Sequence, residues 1–283
     1  MKILVTGSKG QLGSELKVLS QNFKHCEFLF TDVQELDICS KEAVDSFFEA
    51  NAIDFVINCA AYTAVDKAEE ESDLAFKINA KSLEFISQAC KTHNACLIHI
   101  STDYIFDGLS EIAYLETDTP APNSVYGHSK LAGEKAIEDY AQNAVIIRTS
   151  WLYSAYGNNF VKTMLKLANE RDELGIINDQ IGSPTYANDL ADTILNIISN
   201  YKPNGVDYYN YSNEGFCTWF EFASAIFEFK KITIKINPLE TKDYPTAAAR
   251  PAYSLLDKTK IKNDYNINIP NWKTSLGNCL KLL

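Results

Sequence analysis

The apolar, β-branched run Ile3 to Thr6 passes directly into Gly7-Ser8-Lys9-Gly10-Gln11-Leu12-Gly13, and an apolar-periodic stretch resumes at Leu16 and Leu19. A strand, a glycine loop and a helix in that order form a phosphate cradle. Glycines let the backbone turn tightly against a pyrophosphate, which then sits on the positive end of the helix. The spacing is Gly-x-x-Gly-x-x-Gly rather than the commoner Gly-x-Gly-x-x-Gly. Taken alone, such a loop can also be a packing solution with no ligand. A second strand over Glu27 to Thr31 ends on Asp32, where units of this kind place the carboxylate that binds an adenosine ribose. A carboxylate there favours NAD over NADP, with Lys9 in the loop as a partial compensation for a 2′-phosphate. Asp32 could equally begin a turn.

The alternation then continues. Asp54 to Asn58 reads as a third strand, followed by the small residues Cys59-Ala60-Ala61 and then Tyr62-Thr63, against which a cofactor can lie. A helix is expected over Leu74 to Lys91. A fourth strand, Cys96 to Ser101, delivers Ser101-Thr102-Asp103 to its C-terminal end, the edge where open α/β sheets bind ligands. A fifth strand runs from Ala144 to Ser150. Near-continuous apolar strands between amphipathic helices predict an α/β fold, a Rossmann-like doubly wound parallel sheet covered on both faces. After Trp151 the pattern changes. A helix through Phe160, Met164 and Ala168, a strand over Leu174 to Ile177 and a β-like Ile232 to Ile236 predict a smaller interleaved C-terminal substrate domain. A helix near Asp189 to Ile198 and a strand at Tyr208 to Tyr211 rejoin the first pattern. The expected division is 1–153 plus 187–212 for dinucleotide binding and 154–186 plus 213–283 for substrate binding.

Between the fourth and fifth strands, Ser124-Val125-Tyr126-Gly127-His128-Ser129-Lys130 sets a phenol and an ammonium four residues apart, on one helix face. A tyrosine titrates near 10, and a neighbouring positive charge favours its ionised form. Tyr126 is therefore a candidate general acid for carbonyl reduction, with Lys130 stabilising the tyrosinate. A solvated helix face is the ordinary alternative. A net charge of −11 argues against nucleic acid and anionic membrane as partners. The opening apolar run is too short for a signal peptide and no later one approaches membrane-spanning length, so a cytoplasmic protein is expected. Seven cysteines with no Cys-x-x-Cys pair suggest neither disulfides nor a zinc ribbon, and four histidines without ligand spacing read as solvated or core side chains. No metal is expected.

Several stretches together resemble the dTDP-4-dehydrorhamnose reductase family of the extended short-chain dehydrogenase/reductase superfamily. They are Val5-Thr6-Gly7 through Gly13, Asn58 through Glu69, Ser101-Thr102-Asp103-Tyr104-Ile105-Phe106, Tyr126 through Glu134, and Arg148-Thr149-Ser150-Trp151-Leu152-Tyr153. Asn158-Asn159-Phe160, Asn178 through Thr185 and Arg250-Pro251 fit as well, so the likeness spans essentially the whole chain. It implies hydride transfer from NADH or NADPH to the 4-keto group of a dTDP-sugar. In that reading Thr102 hydrogen-bonds the keto oxygen, Tyr126 donates the proton, and Lys130 tunes Tyr126 and holds the nicotinamide ribose. Gly7, Gly10, Gln11, Leu12 and Gly13 surround the pyrophosphate, Asp32 the adenosine ribose, Asp37 and Ile38 the adenine, and Ala61, Tyr62 and Thr63 the middle of the cofactor. Val65, Asp103, Trp151, Asn159 and Arg250 join Thr102 and Tyr126 at the substrate, Arg250 as a diphosphate clamp. Plainer roles stay open: core for Trp151, a turn cap for Asp103, a surface arginine for Arg250. The implied product is dTDP-L-rhamnose. A different dTDP-6-deoxy sugar such as 6-deoxytalose, or a non-catalytic NADP-binding regulatory subunit, are the alternatives, and a homodimer is left open.

Overall fold

The computed structural model describes residues 1–283. Six parallel strands build the main sheet: Lys2–Thr6, Glu27–Phe30, Phe55–Asn58, Cys96–Thr102, Ala144–Thr149 and Val206–Tyr211. Numbered along the chain, their order across the sheet is 2-1-3-4-5-6. The winding reverses between the first and third strands, which pair Val5 with Ile57 and Thr6 with Asn58. That switch point is where an open α/β sheet leaves a crevice at its carboxyl edge.

Alternation along the strands sorts their side chains into two cores. Ile3, Val5, Ile57, Ile98, Val145 and Ile147 enter one, beneath the helices Gln11–Leu19 and Ala187–Asn200. Leu4, Val56, Leu97 and Ile146 enter the other, beneath Lys41–Ala50, Ser82–Thr92 and Val125–Tyr140. Both faces are dry, which is why these strands are apolar at successive positions. A third core gathers Tyr153, Met164, Leu174, Phe222, Trp272 and Leu276 from the segments beyond the fifth strand. Its small sheets pair Glu173–Ile177 with Lys235–Leu239 in parallel and Ile181–Gly182 with Cys217–Thr218 antiparallel. Ile261 and Ile269, from the stretch assigned by sequence to the second domain, pack in the same core as Leu190 and Ile194.

Two elements differ from the sequence expectation. The β-like segment at 232–236 is displaced toward the C terminus, to Lys235–Leu239, while Ile232 and Ile234 pack against the third core. The helix expected over Leu74 to Lys91 begins at Ser72 and contains a π-turn over Lys77–Lys81 before it continues as Ser82–Thr92. The π-turn aims Asn79 inward. Its Oδ1 accepts from Tyr62 N at 2.8 Å, and its Nδ2 donates to Tyr62 O at 3.1 Å and to Ser129 Oγ at 2.9 Å. One side chain thereby ties the loop after the third strand to the Tyr126 helix. That helix approaches the π-turn closely through Gly133, where a Cβ would lie 2.1 Å from the Asn79 carbonyl oxygen. Replacing Gly133 by Ala should destabilise the chain by about 1–3 kcal/mol, the usual cost of overpacking. Urea unfolding measures it, and a loss within error would mean that the two helices can separate without penalty.

Candidate active site

Gly7 sits at φ +62°, and a Cβ there would come within 2.6 Å of Ala60 N. A Cβ on Gly13 would come within 2.6 Å of Gly7 O, so the loop has room for backbone only. The helix that follows starts at Gln11 with Gly10 as its cap, leaving its first N–H groups free for an anion. These residues line a cleft of about 600 Å³ with Ala61, Thr63, Val65, Thr102, Asp103, Tyr126, Lys130, Trp151 and Asn159. A cradle that a single methyl would fill, below a helix N-terminus, fits the pyrophosphate of a dinucleotide.

The remaining predicted cofactor residues lie outside this lining. Asp32 is beside the glycine loop, its carboxylate accepting from Lys9 N at 3.2 Å and Val33 N at 2.9 Å, while the Lys9 ammonium pairs with Glu35 at 3.6 Å. Asp37 is exposed and caps its own turn through Cys39 N, and the Ile38 side chain belongs to the core. Tyr62 turns its hydroxyl to Glu71 at 2.6 Å.

The Tyr126 helix is started by Ser124, whose Oγ accepts from Gly127 N at 3.1 Å, an N-cap worth about 1 kcal/mol. Capping at that residue places Tyr126 in the first turn, against Tyr104 in an edge-to-face pair with centroids 5.5 Å apart. Burial pushes the Tyr126 phenol up to about 12, with the Asp103 charge adding to it and the Thr102 hydroxyl opposing it. Lys130 is 1% exposed. Its Nζ donates to Ile100 O at 2.6 Å and contacts His99 Nε2 at 3.0 Å, and it makes no hydrogen bond to Tyr126. Burial brings it down to about 8, with Glu134 acting in the opposite direction. The ammonium thus hangs from the fourth strand rather than leaning on the phenol, as the helix spacing alone had suggested. The Thr102 hydroxyl donates to Asp103 Oδ1 at 3.0 Å and accepts from Tyr104 N at 3.3 Å.

A second chamber of about 680 Å³ adjoins the cleft through Tyr104 and Trp151, which line both. Trp151 holds a left-handed backbone, φ +48°, uncommon for a bulky residue and worth noting beside a site. Its indole stacks on Trp219 with centroids 3.5 Å apart and planes 9° apart, over Gly182, where a Cβ would lie 2.6 Å from the ring. Arg250 lines this chamber, with its fork committed to Asp66 at 2.8 and 2.6 Å. The Nε hydrogen and the second Nη2 hydrogen have no partner within the fold. Asn159 caps the helix Phe160–Glu170 and donates to Gln11 Oε1 at 2.9 Å, joining the glycine loop to the second lobe. Sequence reading missed Trp219 and Tyr104. Tyr104 lies inside the Ser101 to Phe106 stretch, whereas Trp219 opens an ordinary capped helix and carried no signal.

A dinucleotide cradle and a buried Thr-Tyr-Lys group at the carboxyl edge of a doubly wound sheet define an oxidoreductase of the Rossmann class. The family model described as RmlD substrate binding domain matches residues 1–283. The dTDP-4-dehydrorhamnose reductase of Aggregatibacter actinomycetemcomitans is 42% identical over 98% of this chain and 97% of its own. The crystal structure of such a reductase from Clostridium acetobutylicum superposes with a TM-score of 0.95 at 41% identity, covering 100% of this chain and 99% of that one. One from Bacillus anthracis, in complex with NADP, has a TM-score of 0.95 at 38% identity with the same coverage. The chain belongs to the dTDP-4-dehydrorhamnose reductase family.

Asp103 provides a pH test of the site. It is buried with Oδ2 lacking a partner, and burial raises its carboxyl from 3.8 to about 6 although the Ser254 and Thr102 hydroxyls oppose this. The folded chain thus holds that proton more tightly than the unfolded one. The resulting stability is complete below 3.8 and disappears as pH rises through about 6. Asp103→Asn, neutral throughout, should gain on the wild type across that interval by on the order of 2 kcal/mol. Urea unfolding of both at several pH values checks this, and parallel stability curves would contradict it.

Proposed function

We infer that this chain is an NAD(P)H-dependent oxidoreductase that reduces the 4-keto group of dTDP-4-dehydro-L-rhamnose to dTDP-L-rhamnose. One observation carries the reading beyond the family. Tyr126 lines the glycine-loop cleft and packs on Tyr104, which lines both that cleft and the aromatic chamber, so a nucleotide-bound cofactor and a nucleotide-bound sugar can meet beside the phenol. The two lobes divide this work, 1–153 plus 187–212 holding the cofactor and 154–186 plus 213–283 the sugar nucleotide, with Thr259–Tyr265 docked back on the first lobe.

In this mechanism Gly7, Gly10, Gln11, Leu12 and Gly13 hold the pyrophosphate, Asp32 the adenosine ribose, and Asp37 and Ile38 border the adenine. Ala61, Tyr62 and Thr63 support the centre of the dinucleotide, and Lys130 meets the nicotinamide ribose. The bound nicotinamide supplies a hydride. Tyr126 donates its phenolic proton to the keto oxygen as charge develops there, and the Thr102 hydroxyl hydrogen-bonds the same oxygen. A phenol raised to about 12 keeps its proton until a stronger acceptor forms, so it acts as an acid toward an incipient alkoxide. Asp103 orients Thr102. Val65, Trp151 and Asn159 border the sugar. Arg250 takes the diphosphate through the donors that Asp66 and Ala248 leave free. No observation favours 6-deoxytalose formation or a regulatory subunit.

The deciding experiment incubates the purified protein with NADH or NADPH and dTDP-4-dehydro-L-rhamnose, follows cofactor absorbance and identifies the sugar by NMR. Formation of dTDP-L-rhamnose is expected. Binding of the cofactor without its oxidation would overturn the reading. Tyr126→Phe should lower kcat by roughly 10² to 10⁴, the ordinary worth of a positioned general acid, with cofactor affinity retained. Wild-type turnover in that variant would remove Tyr126 from the mechanism.

A further inference from the structure

His99 is a buried imidazole in the fourth strand for which the mechanism above has no use. Its Nε2 lies 3.0 Å from Lys130 Nζ and its Nδ1 3.0 Å from the Asn58 side-chain amide, which in turn bonds the Thr6 hydroxyl. Thr6, Asn58 and His99 come from the first, third and fourth strands, so the row crosses the sheet directly beneath the cofactor cleft.

We propose that His99 is the positioning residue for Lys130, its Nε2 serving with the Ile100 carbonyl as the fixed acceptor that holds the ammonium in place. The proposal rests on the role given to Lys130 above. Proton counting decides the tautomer. A neutral imidazole offers one acceptor nitrogen and one N–H. Burial and the Lys130 charge both hold His99 well below 6.5, so the ring is neutral at physiological pH. Lys130, an ammonium below about 8, has only protons to give, so Nε2 accepts and Nδ1 carries the hydrogen. Asn58 must then present its oxygen to Nδ1–H and its nitrogen to Thr6, an amide orientation that gives up only the long 3.5 Å contact of Nδ2 to Ala60 O. Asn58 thereby fixes the ring, and the ring fixes the lysine.

A buried ammonium that loses an acceptor becomes easier to deprotonate. Around Lys130, Glu134 on its own helix is the one charged group acting on its titration. The elements packed against that helix also carry Asp66, Lys67, Glu69, Asp73, Lys77, Lys81, Glu84, Lys91 and Asp103, none of which is hydrogen-bonded to the Lys130 ammonium. His99 is the lever by geometry: its Nε2 is the one side-chain acceptor on the buried ammonium, at 3.0 Å.

Two variants separate positioning from mere packing. In His99→Gln the side-chain amide reaches the place of Nε2 and can still accept from Lys130, whereas in His99→Asn it reaches only the place of Nδ1. The Lys130 ¹³Cε signal, assigned by its loss in Lys130→Met, is titrated by NMR in the cofactor-free protein. In His99→Asn the midpoint is expected to fall by about one pH unit, and in His99→Gln to stay at the wild-type value. The basic limb of the kcat profile should move with it, giving about tenfold lower kcat in His99→Asn above both midpoints. Equal midpoints in all three proteins, or equal displacement in both variants, would overturn the proposal. The ¹⁵N shifts of the wild-type ring supply a test that needs no variant: the Nδ1–H tautomer is expected, and an Nε2–H ring would overturn it. Should the wild type turn over no substrate, the function assigned above fails, while the titration still reports on the His99 contact.

Discussion

The buried pair between Arg148 and Glu134 is the constraint on which the site depends. Arg148, on the fifth strand, gives Nη2 to Glu134 Oε2 at 2.8 Å and Nε to Oε1 at 3.1 Å, while Ser101 of the fourth strand donates to the same carboxylate. Its Nη1 donates to Glu116 O, and its guanidinium lies over the Tyr208 ring at 4.6 Å and the Phe106 ring at 5.4 Å. Removing two such charges from water costs several kcal/mol, recovered only when the geometry is good and the remaining donors are satisfied. Here the fork is bidentate and two aromatic rings lie within cation–π range of the guanidinium. The return is positional: two strands and the Tyr126 helix are pinned at one point, one turn beyond Lys130 on the same helix face. The charge of Glu134 also acts through that turn to keep the buried lysine protonated.

From this anchor the site is assembled by side chains that bridge elements distant in sequence. Asn79 links the loop at Tyr62 to Ser129. Asn159 links the glycine loop to the second lobe. Buried Glu15 accepts from Ser154 Oγ at 2.6 Å and Asn188 Nδ2 at 3.0 Å, tying the first helix to both segments that flank the lobe boundary. Each is an amide or carboxylate whose every polar atom has a partner within the fold, which suits a cleft whose two walls belong to different lobes.

Sequence reading found the main sheet because strands buried on both faces leave an apolar signature that needs no tertiary context. It found the glycine loop and the Tyr126–Lys130 pair for a related reason, since local spacing there is itself the geometry. What it could not find depends on long-range partners. Nothing near Lys130 in sequence points to His99, which reaches it only because the fourth strand runs under that helix. Nothing in Arg250-Pro251 reveals Asp66, far earlier in the chain, as the group that occupies the guanidinium. The π-turn at Lys77–Lys81 was invisible because apolar periodicity averages over one extra residue, and Trp219 was silent because its role comes from stacking on a residue of another segment.

The Trp151, Trp219 and Gly182 contact has a consequence for how this pocket can change over generations or in the laboratory. Trp151 occupies a strained backbone position that its stack on Trp219 and the bare backbone at Gly182 help to hold. Enlarging residue 182 would displace the indole, and losing residue 219 would remove its support. The three positions therefore form one inherited unit rather than three independent choices. Redesign of the chamber toward another sugar would have to replace them together, and libraries that vary them singly would sample mostly broken pockets.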